Sequence, residues 1–291
     1  MSPVNIFPVV DRVAWGALRA AGVRSHRVPT AQGRVHVYDA PGRGDLPPIV
    51  LFHGIGSSAA GYARVLSALR RESCRVLAPE APGHGLSDAA SATLSPATLF
   101  DALYEAVTQL APGPLLVVGN SLGGGLALRF ALSHPERVRA LVVVSPAGAP
   151  MAQPELGLFL ERFSLSSHDQ AHDFLARLYH RPPPLAPLLA RGLRHAMKRP
   201  AVQSLLGSVS PDDFFDPVAL RALPMPILLL WGRSDRIMPP EHLAFFRDAL
   251  PPHACIEEPP DVGHSPQLER PHFLASRIAS FARAALAVPP T

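Results

Sequence analysis

The segment Gly119-Asn120-Ser121-Leu122-Gly123 sets a serine between an apolar run at 114–118 and a helix-forming stretch at 121–133. A serine hydroxyl becomes a useful nucleophile when a sharp strand-to-helix turn pushes it out of the end of a sheet and a base takes its proton. Glycine two residues before and two after relieves the crowding of that turn. G-x-S-x-G arises by chance about one time in ten in a chain of this length, so its partners must decide. The base should be a histidine, whose ordinary pKa lies near working pH. Among 13 histidines, His264 stands out: it sits in Asp261-Val262-Gly263-His264-Ser265, just after the last strand-like run. His53 and His84 lie in glycine-flanked loops that suit local hydrogen bonding. A carboxylate must fix the tautomer of the base and stabilise its charged form. Asp235 follows the run 226–231 through Gly232-Arg233-Ser234, again at a strand end. Asp261 is so near His264 in sequence that it suits a loop cap, and Asp216 is a weaker candidate still. Two N–H groups should receive a developing oxyanion. Leu122 supplies one, directly after the serine at a helix start. Ile55 supplies the other, in His53-Gly54-Ile55-Gly56 after the run 49–52.

Each of these groups needs a strand end beneath it. Apolar, β-branched runs alternate with helical patterns along the chain, which predicts βαβ units and a parallel sheet. Strands are expected at 24–28 and 34–39, paired about Gly33, and at 48–52, 75–78, 114–118, 138–144, 226–231 and 253–258. Helices are expected at 60–69, 99–110, 121–133 and 271–286, the last with proline in its first turn. The stretch 147–223 breaks this rhythm. It is rich in Leu, Phe, His and Pro, and reads as short helices near 154–163, 169–179, 185–197 and 218–223. At the start, Val10, Val13, Ala14, Ala17, Leu18 and Ala21 repeat at helical spacing. That pattern predicts a helix docked on the main domain; a membrane-surface or substrate-gating helix is the alternative.

Taken together, the chain resembles the α/β-hydrolase fold family over nearly its whole length. The pieces that carry the resemblance are Leu51-Phe52-His53-Gly54, Pro82-Gly83-His84-Gly85-Leu86-Ser87-Asp88, Gly119-Asn120-Ser121-Leu122-Gly123-Gly124, Leu230-Trp231-Gly232-Arg233-Ser234-Asp235 and Gly263-His264-Ser265-Pro266-Gln267-Leu268-Glu269-Arg270-Pro271. The order Ser, Asp, His is also that of the family. The resemblance implies an α/β fold with a mostly parallel eight-stranded sheet flanked by helices. It implies a core of 1–146 and 224–291, and a helical cap, 147–223, inserted between the sixth and seventh strands. By the same resemblance the cap holds the acyl or leaving-group pocket, with apolar surface from Phe159, Phe163, Phe174, Phe214 and Phe215. Three of these five are expected only to hold the cap together. Members with an aspartate nucleophile act on epoxides or haloalkanes, and serine at position 121 argues against both.

Composition narrows the remaining classes. With 291 residues, 47% hydrophobic and 17% charged, the chain is an ordinary globular protein able to bury a large core. The net charge is +4, nearly all basic residues are arginine, and Lys198 is the only lysine. Positives are interleaved with acids rather than striped with aromatics, which argues against nucleic acid as a partner. Cys74 and Cys255 have neither metal-ligand nor disulfide spacing and read as reduced thiols of a cytosolic protein. His168-Asp169-Gln170-Ala171-His172 could place two imidazoles on one helix face, but Asp169 stands where a zinc protease needs Glu; a solvated helix start fits better. The N-terminus has no secretory pattern and no run of 18 apolar residues occurs, so a cytoplasmic protein without a transmembrane span is expected.

These readings converge on a serine hydrolase that cleaves a carboxylic ester of a small or medium apolar acid through an acyl-enzyme on Ser121. The expected partner is a small-molecule substrate, and the chemistry requires no cofactor and no metal. A carbon–carbon hydrolase of the meta-cleavage-product type is the alternative. Gly119-Asn120-Ser121 and Ser145-Pro146-Ala147-Gly148 are similar to that group, whereas Gly54-Ile55-Gly56-Ser57-Ser58 lacks its glycine- and proline-rich oxyanion loop. A monoacylglycerol lipase-like activity, an amidase and a cofactor-free perhydrolase also stay open. A non-catalytic binding protein on the same fold would usually lack one of the three residues, and all three are present.

Overall fold

The structure, a computed structural model, describes residues 7–90 and 93–287. Residues 1–6, part of the N-terminal stretch read above for a leader, lie outside the described residues. Eight strands form one sheet: β1 (Arg24–Thr30), β2 (Gly33–Pro41), β3 (Ile49–Phe52), β4 (Arg75–Pro79), β5 (Leu115–Asn120), β6 (Val138–Val144), β7 (Ile227–Leu230) and β8 (Cys255–Glu257). Their order is β1-β2-β4-β3-β5-β6-β7-β8. β1 and β2 form an antiparallel hairpin, β2 pairs antiparallel with β4, and the strands from β4 to β8 are parallel.

The central strands are short apolar runs because both faces of a parallel sheet are covered. Alternation splits each strand between two cores. Val50 and Phe52 of β3 join Val117 of β5 and Val143 of β6 on one side; Ile49, Leu51, Val118 and Val144 point to the other. The first side is covered by α3 (Pro96–Leu110) and α4 (Leu122–Ser133). The second is covered by α1 (Phe7–Ala20), α2 (Ala63–Leu69) and α12 (Pro271–Ala287).

Between β6 and β7 the chain forms five helices: α5 (Gln153–Glu161), α6 (His168–Leu178), α7 (Ala186–Met197), α8 (Pro200–Ser208) and α9 (Pro217–Arg221). Two more, α10 (Pro240–Ala249) and α11 (Pro266–Glu269), follow the ends of β7 and β8. The sequence reading missed α8, α10 and the short α11. In all three, prolines taken as loop punctuation stand at the first helical position, where the missing N–H costs nothing. α1 docks through buried Asp11 and Leu18, with Ser58 Oγ donating to Asp11 at 2.7 Å, while Val9, Val10 and Val13 stay exposed. No helix among the described residues is long and apolar enough to cross a membrane.

One buried carboxylate organises the loop after β4. Glu80 is fully buried. It accepts from the N–H groups of Leu86 (2.6 Å) and Ala59 (3.2 Å), and its Oε2 lies 3.0 Å from His36 Nδ1. Gly85 crosses it with φ 51°, and a Cβ there would lie 2.1 Å from Glu80 Oε1. The Pro82–Asp88 motif is therefore shaped around this side chain. Replacing Glu80 by Ala strands these donors in the interior. A loss of about 3–5 kcal/mol is expected, read from urea unfolding, with Glu80→Gln losing less.

Candidate active site

Ile55, Ser121, Leu122, Asp235 and His264 all follow the carboxyl ends of parallel strands, where open α/β sheets present their ligand sites. Ser121 joins β5 to α4 with φ 57° and ψ −122°, outside the helix that begins at Leu122. Such a conformation costs about 1–3 kcal/mol and persists only when the surroundings impose it. Ser121 N donates to Val144 O (2.9 Å), and Ser121 O accepts from Gly125 N (3.0 Å) and Ala147 N (3.0 Å). The flanking glycines are steric requirements. A Cβ on Gly119 would lie 1.9 Å from Gly123 O, and one on Gly123 would lie 2.2 Å from Phe52 O.

His264 and Asp235 form a buried pair, with Nδ1 and Oδ2 2.7 Å apart. The other carboxylate oxygen accepts from Ile237 N (2.8 Å) and Met238 N (3.2 Å). Burial pushes the Asp235 carboxyl upward, but the charge and hydrogen bond of His264 outweigh it and hold the group below its ordinary value. With Nδ1 engaged, Nε2 is the ring nitrogen left for proton exchange. The rival acids are occupied elsewhere. Asp261 is exposed and 3.7 Å from His180, and Asp216 caps α9 by accepting from Val218 N (3.0 Å).

Ile55 and Leu122 line the same cavity as Ser121. Leu122 is the first residue of α4, so its N–H has no acceptor within the helix. Beneath Ile55, His53 is held neutral: Nδ1 donates to Gly54 O (2.9 Å) and Nε2 accepts from Ala81 N (3.0 Å). Burial lowers its pKa and pushes that of the neighbouring His84 down to about 3.

The sequence reading missed what holds the base. Asn120 Nδ2 donates to His264 O (2.9 Å) and Val144 O (3.2 Å), and Asn120 Oδ1 accepts from Gln267 Nε2 (2.9 Å). The residue before the serine thus ties the serine turn to the histidine loop. The end of α6 ties that loop from the other side. His264 N (2.8 Å) and Ser265 N (3.2 Å) both donate to Leu178 O, and Glu269 accepts from His180 N (2.8 Å) and Gly263 N. The same turn reaches the acid loop through His180 Nδ1 and Ser234 Oγ, 2.7 Å apart, and through Arg236 donating to Tyr179 O (3.1 Å). Asn120 sits inside G-x-S-x-G, and Ser234, Gln267 and Glu269 sit inside segments that carry the family resemblance; Leu178, Tyr179 and His180 left no signal in the sequence.

Two cavities meet at Ser121. The smaller, about 120 Å³, runs beside Leu122 and Leu126 of α4 and is walled by Phe159, Phe163, Phe214 and Phe215. The larger, about 570 Å³, also contains His264, Asn120, Phe163 and Phe174, and is bordered by Phe7 and Val10 of α1. All five phenylalanines singled out in the sequence therefore line a cavity, although three were expected only to hold the inserted helices together. Phe163, Phe174 and Phe215 do both, being core residues as well. His168 and His172 lie at the start of α6, which Ser167 caps by accepting from Gln170 N (3.1 Å). No group of three His, Cys, Asp or Glu side chains gathers to hold a metal among the described residues.

Residues 49–277 match the family described as Alpha/beta hydrolase family. The chain belongs to it. This hydrolase is 30% identical to the pimeloyl-[acyl-carrier protein] methyl ester esterase of Nitrosomonas europaea, over 80% of this chain and 94% of that protein. It is 28% identical to the 2-hydroxymuconate semialdehyde hydrolase of Pseudomonas putida, over 85% of this chain and 90% of that protein. Among solved structures it superposes on a carboxylesterase from Bacillus subtilis with a TM-score of 0.75, at 24% identity over 94% of this chain and 97% of that one.

Two measurements follow from the geometry. Asn120→Ala frees the base loop on one side, and kcat is expected to fall about tenfold or more, because small misplacements of a base are costly; steady-state kinetics alongside Tm checks it. His84 is neutral in the fold and protonates near 6.5 when unfolded. Its depressed pKa means that the unfolded state binds the extra proton, so stability falls as pH drops below about 6.5 towards 3. The slope from this group approaches about 1.4 kcal/mol per pH unit, and His84→Gln should flatten it in urea titrations at pH 7, 6 and 5.

Proposed function

We propose that this hydrolase cleaves carboxylic esters through an acyl-enzyme on Ser121. The observation that carries the reading is the buried His264–Asp235 pair, 2.7 Å apart, with His264 on the wall of the cavity that Ser121 shares. Ser121 Oγ attacks the carbonyl carbon while His264 Nε2 takes its proton. The N–H groups of Ile55 and Leu122 receive the oxyanion, each worth about 2.7–4 kcal/mol of barrier lowering. Asp235, kept ionised, stabilises the imidazolium that forms. His264 then protonates the leaving oxygen and, in the second half, activates the water that frees the acid.

This assigns the two cavities. The leaving oxygen must reach His264, which lines the larger cavity and not the smaller. The leaving group therefore occupies the larger space and the acyl group the smaller, beside Ile55 and Leu122. An apolar wall of phenylalanines and about 120 Å³ suit a small or medium acid. The segment 147–223 serves as the cap over both.

Carbon–carbon hydrolysis of a vinylogous diketone acid is the second reading. Its support is the kinship with 2-hydroxymuconate semialdehyde hydrolase. The same nucleophile and base would serve, with a carbanionic leaving group taking the proton.

The test is hydrolysis of p-nitrophenyl esters across acyl lengths, with fluorophosphonate labelling of the same protein. Activity should peak at short to medium chains and fall about 10⁶-fold in kcat in Ser121→Ala. A labelled protein that cleaves no ester but does cleave a vinylogous diketone acid would establish the second reading. A folded protein that resists the label would overturn both.

A further inference from the structure

The smaller cavity contains a polar group that ester hydrolysis does not use. His242, near the start of α10, lines it and is only 4% exposed. Neither Nδ1 nor Nε2 has a hydrogen-bond partner among the described residues, and both are buried beneath the cavity surface, so a turn of the ring is needed to present either to a ligand. The ring packs 5.7 Å from that of Phe159, beside Met238. The other charged side chains on this wall are already satisfied: Arg129 pairs with Asp213 at 3.5 Å. Apart from Ser121, His242 is thus the polar side chain there with nothing to bind.

An unpaired imidazole in an apolar cavity is unfavourable, since a buried polar group loses its hydration without compensation. Leucine would serve a plain alkyl group better. A neutral imidazole offers one N–H donor and one nitrogen acceptor. Burial keeps it neutral, lowering its pKa to about 4.

We propose that His242 is a recognition residue for the acyl half of the substrate, hydrogen-bonding a hydroxyl or keto oxygen carried on the acyl chain. This rests on the assignment of the smaller cavity to the acyl group. The preferred acids are then hydroxy- or oxo-substituted, held by apolar walls along the chain and by one polar anchor at the oxygen. A site built to pair a substrate oxygen discriminates against the analogue lacking it, because its own polar group is then left unpaired.

The experiment compares matched p-nitrophenyl esters: butyrate with 3-hydroxybutyrate, pentanoate with 4-oxopentanoate, and hexanoate with 5-oxohexanoate. Wild type, His242→Leu and His242→Gln are assayed, and Tm is recorded for each. In at least one pair the wild type should favour the oxygenated ester by about tenfold in kcat/KM. That ratio should fall to about one in His242→Leu and largely survive in His242→Gln, which keeps a donor and an acceptor. Binding of the free acids, followed by NMR, gives the same comparison without turnover. Wild-type ratios near one in every pair would overturn the proposal, as would an unchanged ratio in His242→Leu. Failure of Ser121 to take a fluorophosphonate would instead strike the esterase reading, and the acid-binding comparison would still judge His242.

Discussion

The site depends on the backbone of one residue. Ser121 holds a conformation that L-amino acids avoid, and it does so because β5 runs straight into α4 with no room to spare. The strain is small beside what imposes it. Two glycines remove clashes that no rotamer could relieve, and two backbone hydrogen bonds, to Val144 O and from Ala147 N, fix the turn to β6 and to the start of the inserted segment. The N–H groups proposed as oxyanion donors inherit their position from the same crossing, because Leu122 is the first residue of α4 and Gly123 packs against Phe52 at the end of β3.

Around that turn, the polar interior is arranged so that charge is permitted in few places. Asp235 is buried yet kept ionised, because two backbone N–H groups and His264 together offset its lost hydration. His53 and His84, in the loops beside it, are kept neutral by burial. Two imidazoles held neutral therefore lie beside the one proposed as the base. The distinction rests on partners: an acid faces His264, whereas backbone groups face His53 and His84.

Much of this was legible in the sequence, for identifiable reasons. β5 and β6 read plainly because a strand buried on both faces must be apolar throughout. Ser121 could be picked out because it directly follows such a run, and Asp235 and His264 because they lie on the short loops after two further strand-like runs. The helices α8 and α10 were hidden by prolines whose meaning changes at a helix start. The support of the base was hidden more deeply. Leu178 contributes a carbonyl oxygen, which every residue has, and nothing in its side chain marks it. His242 drew no notice, in a stretch where no helix was expected, because its lack of partners is a property of the packed interior and not of its neighbours in the chain.

The turn at the end of α6 touches both the acid loop and the base loop, so the inserted segment is unequal in its freedom to change. Leu178, Tyr179 and His180 are bound by the same constraints as the residues they support. α5 and α8 contribute side chains to the wall of the smaller cavity and make none of these hydrogen bonds, so they can vary in composition without disturbing the two loops. Over evolutionary time such an insertion can be resculpted at one end for new substrates while the other end stays fixed. The boundary between what can change and what cannot runs through the insertion itself.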